Sequence, residues 1–252
     1  MRIDLTGKTV LVTGASRGIG KALAEGLAAS GATVAVHCNQ HREAAEAVAA
    51  ALGHDAHVFQ ADLAEASACE WLFSEVVRVY GRLDVLVNNA GVAFNIPLDA
   101  APDAWRRGWD LTMAVNLRAV ELLCRLAVGH FRQHGGGRIV NVASRAGIRG
   151  DTPAYMTYAA SKGGVVALTR SLARGFGKDG ICAFVLAPGF IRTDMAQDFI
   201  DTYGEAHVVS DLALQRLTEP ADLVPMVVLL ASGLADHATG ATIDLNAGSY
   251  LH

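Results

Sequence analysis

KTVLVTGASRGIG (residues 8–20) runs from an apolar, β-branched segment directly into a loop with three glycines. The apolar part predicts a buried strand. A helical pattern with Leu23, Leu27 and Ala28 on one face follows, and a second apolar run, TVAV (33–36), begins after Gly31. This order of strand, glycine loop, helix and strand predicts a dinucleotide-binding βαβ unit.

The three glycines have separate expected tasks in such a unit. Gly14 permits a tight turn, Gly18 lets the backbone approach a pyrophosphate, and Gly20 lets helix and strand pack closely. The helix that follows offers N–H groups and the positive end of its dipole to the phosphates. The alternative is an ordinary glycine-rich connection, which the flanking strands and helix disfavour.

YAASK (158–162) places Tyr158 and Lys162 four residues apart, about one helical turn, so the two side chains share a face. An ammonium beside a phenol favours phenolate, so a pKa that starts near ~10 is expected to fall. The pair therefore predicts a proton donor. Tyr155 has Ala159 at this spacing and is expected to line the substrate mouth, whereas Ser161 receives no role from the pattern.

The spacing Gly-x-x-x-Gly-x-Gly, combined with Tyr-x-x-x-Lys far downstream, resembles the short-chain dehydrogenase/reductase family. The resemblance extends from Leu5 to Tyr250. Further motifs of the family follow in order along the chain: Asp62-Leu63 after the third strand, Asn88-Asn89-Ala90-Gly91 after the fourth, Asn116 in the next helix, Ser144 after the fifth strand, and Pro188-Gly189 with Ile191 and Thr193 after the sixth.

The resemblance implies an α/β fold: a single-domain, Rossmann-like, doubly wound parallel sheet of about seven strands with helices on both faces. A hydrophobic content of 52% suits a sheet covered on both sides. One domain is expected over residues 1–252, with a substrate lid near 190–216. Strands are predicted near 8–13, 33–38, 56–61, 83–88, 138–143, 181–187 and 241–245, and helices near 18–29, 41–52, 66–80, 103–132, 155–177 and 220–233.

By resemblance, Tyr158 donates a proton to the substrate oxygen, and Lys162 lowers its pKa and binds the nicotinamide ribose. Ser144 orients the carbonyl, and Asn116 holds a water that links Lys162 to solvent. The expected cofactor-binding residues are Gly14, Ser16, Arg17, Gly18, Ile19, Gly20, Asn39, Arg42, Asp62, Leu63, Asn89, Ala90, Gly91, Tyr158, Lys162, Pro188, Gly189, Ile191 and Thr193. The expected substrate residues are Ser144, Arg145, Tyr155, Phe190 and Met195.

The end of the second strand indicates which nicotinamide cofactor is used. An NAD-selective enzyme commonly has an acidic residue there, but VHCN (36–39) places Cys38 at that position. Arg17 and Arg42 are close enough in sequence to bind a 2′-phosphate, so NADP(H) is expected over NAD(H). The alternative is that both arginines are solvated surface charges. His37, Cys38 and His41 have no second cluster to complete a metal site, so no metal is expected.

PGFIRTDM (188–195) and NAGSY (246–250) look most like 3-oxoacyl-[acyl-carrier-protein] reductases. Two positions that are often basic in those enzymes are Gly135 and Asp179 here, for which Arg132, Arg145, Arg149 and Lys178 would have to compensate. A small-molecule substrate (a ketone, sugar, polyol or ring alcohol) therefore stays open beside an acyl thioester. A non-catalytic cofactor-binding regulator and a purely structural subunit are the remaining alternatives.

Composition excludes other classes of function. A net charge of -4 disfavours nucleic-acid binding. No run approaches the ~20 apolar residues of a membrane span, and the first residues lack a secretory signal, so a cytoplasmic location is expected. Four scattered cysteines are expected to be reduced. The resemblance implies a homotetramer, assembled through the long helices at 103–132 and 155–177.

Overall fold

The computed structural model describes residues 3–53, 55–193 and 204–251, with the side chains of residues 206–208 excluded. Seven strands form the sheet: β1 (Thr9–Val12), β2 (Thr33–Cys38), β3 (His57–Gln60), β4 (Val85–Asn88), β5 (Gly137–Val142), β6 (Ile181–Pro188) and β7 (Thr242–Leu245). The helices are α1 (Gly18–Ala29), α2 (Arg42–Leu52), α3 (Ala66–Tyr80), α4 (Pro102–Met113), α5 (Ala119–Gln133), α6 (Ala146–Arg149), α7 (Met156–Phe176), α8 (Glu205–Ser210) and α9 (Val224–Ser232).

All strand pairs are parallel, and the strand order is β3-β2-β1-β4-β5-β6-β7. The chain first builds outward from β1 to β3 and then returns to the other side of β1 with β4. The sheet therefore has its topological switch point between β1 and β4. In open α/β sheets this is where ligands bind, beyond the carboxyl ends of the strands. The predicted fold, a doubly wound Rossmann-like sheet, is confirmed.

The sheet is buried on both faces because side chains alternate along each strand. Leu11 and Leu86 belong to an apolar cluster under α3, α5 and α7. Val10 and Val87 belong to a second cluster under α1, α2 and α9. This double covering explains why the strands read as continuous apolar runs, and it holds the carboxyl ends of the strands in fixed positions.

The long helix predicted over 103–132 is interrupted in the structure. A π-helical turn (Ala114–Arg118) separates α4 from α5, and Asn116 lies within it. No glycine or proline marks the turn in the sequence, so the local pattern gave no sign of it. Such turns are often found at functional sites.

The remaining predicted elements agree with the structure to within a few residues. The segment predicted as an amphipathic stretch from Met195 to Tyr203 lies outside the described residues. All four cysteines are free thiols. None of the described helices combines the length and the apolar character that a membrane span requires.

Candidate active site

The glycine loop after β1 is packed so closely that side chains are excluded. Gly14 and Gly18 have φ values of +64° and +55°. A Cβ on Gly20 would lie 2.1 Å from the carbonyl oxygen of Gly14, and a Cβ on Gly14 would lie 3.0 Å from Ala90 Cα. The loop after β1 and the loop after β4 therefore touch across the switch point, as the sequence predicts for a dinucleotide cradle.

The first turn of α1 faces the same place. Arg17 occupies the N-cap position with extended backbone, and no side chain caps the helix. A Cβ on Gly18 would lie 3.4 Å from Thr193 Cγ2, so Thr193 covers the glycine loop from the β6 side. Backbone N–H groups, a positive helix end and a cradle with no room for a Cβ fit the pyrophosphate of a dinucleotide.

Thr13, which the sequence analysis gave no role, and Asn89, which it expected to bind the cofactor, hold this cradle together. Thr13 Oγ1 accepts hydrogen bonds from the N–H groups of Asn89 (2.9 Å) and Ala90 (3.0 Å). Asn89 Nδ2 donates to the carbonyls of Thr13 (2.8 Å) and Gly14 (3.1 Å). The sequence did not predict this role for Thr13, because a threonine at the end of a strand gives no local sign of its distant hydrogen-bond partners.

Tyr158 and Lys162 lie on the first half of α7, as predicted. Lys162 is 4% exposed. Its Nζ donates to the carbonyl of Val142 over 2.8 Å and lies 5.7 Å from the centroid of the Tyr158 ring. A Cβ on Gly91 would lie 3.4 Å from Nζ, so the loop after β4 reaches the ammonium. The candidate catalytic pair therefore lies beside the cradle.

The predicted lowering of the Tyr158 pKa is wrong for this structure. Burial raises the pKa of Tyr158, a hydrogen bond with Ser144 acts in the opposite direction, and the charge of Asp151 raises it further. Burial also lowers the pKa of Lys162 to about 8. Desolvation and the charge of Asp151 outweigh the hydrogen bond with Ser144, while the Lys162 ammonium is directed at a carbonyl of β5. The phenol stays protonated near neutral pH, which suits a proton donor.

Asn116 is fixed by the π-helical turn and makes three hydrogen bonds. Its Oδ1 accepts from the N–H of Val92 and its Nδ2 donates to the carbonyl of Val92, both over 2.8 Å. Its Nδ2 also donates to Ser161 Oγ over 3.1 Å. Ser161 is fully buried and donates in turn to the carbonyl of Tyr158 over 2.7 Å. Ser161 therefore links two candidate catalytic residues, Asn116 and Tyr158, a role that the sequence pattern did not assign.

Ser144 is buried just after β5 and begins the turn into α6. Its Oγ accepts from the N–H of Ala146 over 3.1 Å. A Cβ on Gly147 would lie 2.6 Å from the carbonyl carbon of Lys162, so α6 rests directly on the backbone of α7. This contact brings Ser144, Tyr158 and Lys162 into one arrangement, as predicted.

The substrate side of the cleft contains a buried cation. Arg145 is 5% exposed, lies 4.9 Å from the centroid of the Phe190 ring, and forms a 3.4 Å ion pair with Asp211. Burial lowers the pKa of Arg145, and so does the neighbouring charge of Arg149, whereas Asp211 raises it. Tyr155 ends a 3-10 turn just before α7 and is partly buried. The predicted contact residue Met195 lies outside the described residues.

The region expected to bind the adenosine ribose lies at the ends of β2 and β3. Asn39 Nδ2 donates to Asp62 Oδ1 over 3.4 Å, and Leu63 is buried beside it. Cys38 is buried, so the position where a carboxylate is common holds a thiol. Arg42 is about half exposed at the start of α2 and forms a 2.7 Å ion pair with Glu46.

Two of the four arginines and lysines expected to compensate for Gly135 and Asp179 are already engaged. Arg132 forms a 3.0 Å ion pair with Asp179 itself. Arg145 is buried and turned toward Asp211. The positive surface available to an acidic carrier protein is correspondingly small.

His37, Cys38 and His41 do not assemble a metal site. Within the described part of the chain, no group of three or more His, Cys, Asp or Glu residues is arranged to hold a metal ion. His37 instead has both ring nitrogens bonded to the backbone.

Comparisons with known proteins agree with this geometry. The family model for short chain dehydrogenases matches residues 8–204. The 3-oxoacyl-[acyl-carrier-protein] reductase of Staphylococcus aureus is 38% identical over 97% of this chain and 98% of its own length. The reductase of the same name from Haemophilus influenzae is 36% identical over 98% of this chain and 100% of its own length.

Solved structures also match almost the whole chain. A Beutenbergia cavernae protein assigned as an NAD(P) dependent gluconate 5-dehydrogenase, with NADP bound at low occupancy, has a TM-score of 0.91 and 33% identity over 99% of each chain. An Agrobacterium tumefaciens protein assigned as a gluconate dehydrogenase has a TM-score of 0.91 and 31% identity, covering 99% of this chain and 98% of that one.

Proposed function

The chain belongs to the short-chain dehydrogenase/reductase family, and from this we propose that it uses NADPH to reduce the ketone of a 3-oxoacyl thioester to a secondary alcohol. The main support for a redox reaction is that Ser144, Tyr158 and Lys162 lie close together beside the glycine cradle. The choice of a thioester substrate is supported by the similarity to 3-oxoacyl-[acyl-carrier-protein] reductases, which match nearly the whole chain.

The chain's own residues donate the proton to the ketone oxygen and orient the ketone. A nicotinamide coenzyme held by the glycine loop would supply the hydride. Ser144 binds the ketone oxygen, and Tyr158 donates a proton to that oxygen as it gains negative charge. The buried Lys162 stabilises the negative charge left on Tyr158, and Asn116 fixes the neighbouring loop through Val92.

The preference for NADPH is supported by the end of β2. Cys38 offers no carboxylate to repel a 2′-phosphate or to bind a 2′-hydroxyl. Arg17, at the start of α1, and Arg42, at the start of α2, are the proposed partners of the phosphate. Measuring kcat/KM with NADPH and with NADH tests the preference. Equal or better use of NADH overturns it.

A second candidate is the oxidation or reduction of a sugar acid, and one observation favours it. Arg145 directly follows Ser144, is buried, and has as its ion-pair partner the largely exposed Asp211. A carboxylate on the substrate would replace that partner at the guanidinium. The gluconate dehydrogenase assignments of two similar structures agree with an acidic substrate.

One assay separates the two candidates. Acetoacetyl thioesters are offered with NADPH, and gluconate is offered with NADP. Turnover of the thioester alone supports the first proposal, and turnover of gluconate alone supports the second. The variant Arg145→Leu is included because it should abolish use of gluconate while leaving thioester reduction measurable.

We also propose that the chain works in the cytoplasm as a homotetramer. A groove between α5 and α7 supports assembly: the partly buried Leu168 and Phe176 line it above the buried Val128 and Leu172, together with Glu121 and Arg125. Light scattering gives the mass directly, and a monomer overturns this proposal.

A further inference from the structure

His37 lies at the carboxyl end of β2, and its ring joins two other strand ends. The side chain is 1% exposed. The N–H of Gly14, just after β1, donates to Nδ1 over 3.0 Å. On the other side of the ring, Nε2 lies 3.1 Å from the carbonyl oxygen of Ala61, just after β3.

These two partners determine the protonation state of the ring. A backbone N–H can only donate, so Nδ1 must be an acceptor, and a carbonyl can only accept, so Nε2 must carry the proton. Only the neutral imidazole protonated at Nε2 satisfies both. Burial lowers the pKa of His37 to about 4, although the Ala61 hydrogen bond and the charge of Asp62 raise it, so this form is the stable one.

The bonded atoms belong to segments that form the cradle. Gly14 is the first glycine of the loop and has a positive φ. The main chain of His37 adds to the connection, because its carbonyl accepts from the N–H of Ala15 over 2.8 Å. Ala61 is followed by Asp62, which accepts from Asn39. Pyrophosphate and ribose subsites are thereby connected through one ring.

We propose that His37 is a positioning residue for the dinucleotide: its imidazole fixes the glycine loop relative to the ends of β2 and β3 without touching the cofactor. The proposal goes beyond the choice of substrate, because it concerns only binding of the coenzyme. It also replaces the metal-ligand interpretation, since both ring nitrogens are occupied by backbone groups.

The chain offers a matched control. His130 is also buried, and its Nε2 accepts from the N–H of Leu83 over 3.1 Å. Leu83 precedes β4, so this bond lies at the opposite end of the sheet from the cradle. Replacing His130 removes the same kind of bond and destabilises the core without reaching the coenzyme.

The experiment compares His37→Leu, His37→Asn and His130→Leu with the unaltered protein. The dissociation constants of NADPH and NADH are measured by fluorescence titration, together with urea unfolding and kcat at saturating NADPH. His37→Leu should bind the better coenzyme about tenfold more weakly with kcat little changed, because a misplaced loop weakens binding more than it alters the catalytic groups. His37→Asn keeps an acceptor for Gly14 and should recover most of the affinity.

Three results overturn the proposal. One is an affinity of His37→Leu within about twofold of the unaltered protein. Another is an equal loss of affinity in His130→Leu, which would make the effect one of general destabilisation. The third is a nitrogen NMR spectrum of the unaltered protein that places the His37 proton on Nδ1, a measurement that stands even where His37→Leu does not fold. Failure of thioester turnover bears on the proposed function alone, because the titration needs no substrate.

Discussion

Asn116 Nδ2 donates to Ser161 Oγ over 3.1 Å, and Ser161 Oγ donates to the carbonyl of Tyr158 over 2.7 Å. One hydroxyl thus connects the π-helical turn to α7, the helix that carries the proposed proton donor. Replacing Ser161 by Ala should leave the Asn116 amide with one fewer partner and lower kcat by about three- to tenfold, with the affinity for NADPH unchanged. The control is Ser171→Ala on the same helix, where an exposed hydroxyl bonds only to the carbonyl of Ala167 over 3.0 Å. Equal effects of the two substitutions would contradict the connection.

Tyr158→Phe should reduce kcat by about 10²–10⁴-fold, because general acid catalysis is typically worth that much. Binding of NADPH, measured by fluorescence, should persist. Tyr155→Phe is the control, since it lies three residues earlier and is not predicted to transfer a proton. Near-normal turnover by Tyr158→Phe would remove the proton-donor assignment.

Gly20→Ala should destabilise the fold by about 1–3 kcal/mol and abolish coenzyme binding. The added Cβ would lie 2.1 Å from the carbonyl oxygen of Gly14. The backbone fixes the positions of both atoms, so neither can rotate away. Gly175→Ala in α7 is the opposite case, because nothing lies within 4 Å of its added Cβ. That substitution should stabilise the protein by about 0.5–1 kcal/mol. Urea denaturation of both variants measures the contrast.

Arg42→Ala should raise the KM for NADPH by about fivefold or more and leave the KM for NADH unchanged. The reason is that the guanidinium near the end of β2 is expected to bind the 2′-phosphate, which NADH lacks. Arg78→Ala is a suitable control, since Arg78 also pairs with a carboxylate, Glu75, on an exposed helix surface. An equal rise in the KM for NADPH and for NADH would mean that Arg42 is an ordinary surface charge and does not bind the 2′-phosphate.

The stability of the protein should fall as the pH is lowered from about 6.5 to about 4, and His37 should account for part of that fall. The pKa of His37 is about 4 in the folded protein and 6.5 in a model chain, so within this window the unfolded state binds a proton that the folded state does not. Unfolding is therefore favoured at the acidic end, with a slope of up to about 1.4 kcal/mol per pH unit. Urea unfolding of His37→Asn across the same window should show a shallower slope. An unchanged slope would mean that His37 titrates normally.

The sequence predicted the fold and most of the candidate site because these depend on local patterns. Continuous apolar strands, the spacing of Gly14, Gly18 and Gly20, and the one-turn separation of Tyr158 and Lys162 can all be seen along the chain. The strand order and the packing of the loops after β1 and β4 agree with those patterns.

The features that were missed depend on distant neighbours. His37 received no role, since no metal was expected there and the residue type alone does not reveal that Gly14 and Ala61 lie against its two nitrogens. Ser161 had no assigned role because its partner Asn116 is 45 residues away. The predicted direction of the Tyr158 pKa shift was wrong because burial, which local spacing does not reveal, is the largest cause of the shift and raises the pKa.

The close packing of Gly147 against the backbone of Lys162 has a practical consequence for redesign of this protein. The packing of α6 on α7 holds Ser144, Tyr158 and Lys162 in place. The segment from Arg149 to Tyr155 lies outside this packing contact. Loop grafts or randomised libraries confined to residues 149–154 should therefore change which molecules enter the substrate cleft. The spacing of Ser144, Tyr158 and Lys162 should stay the same.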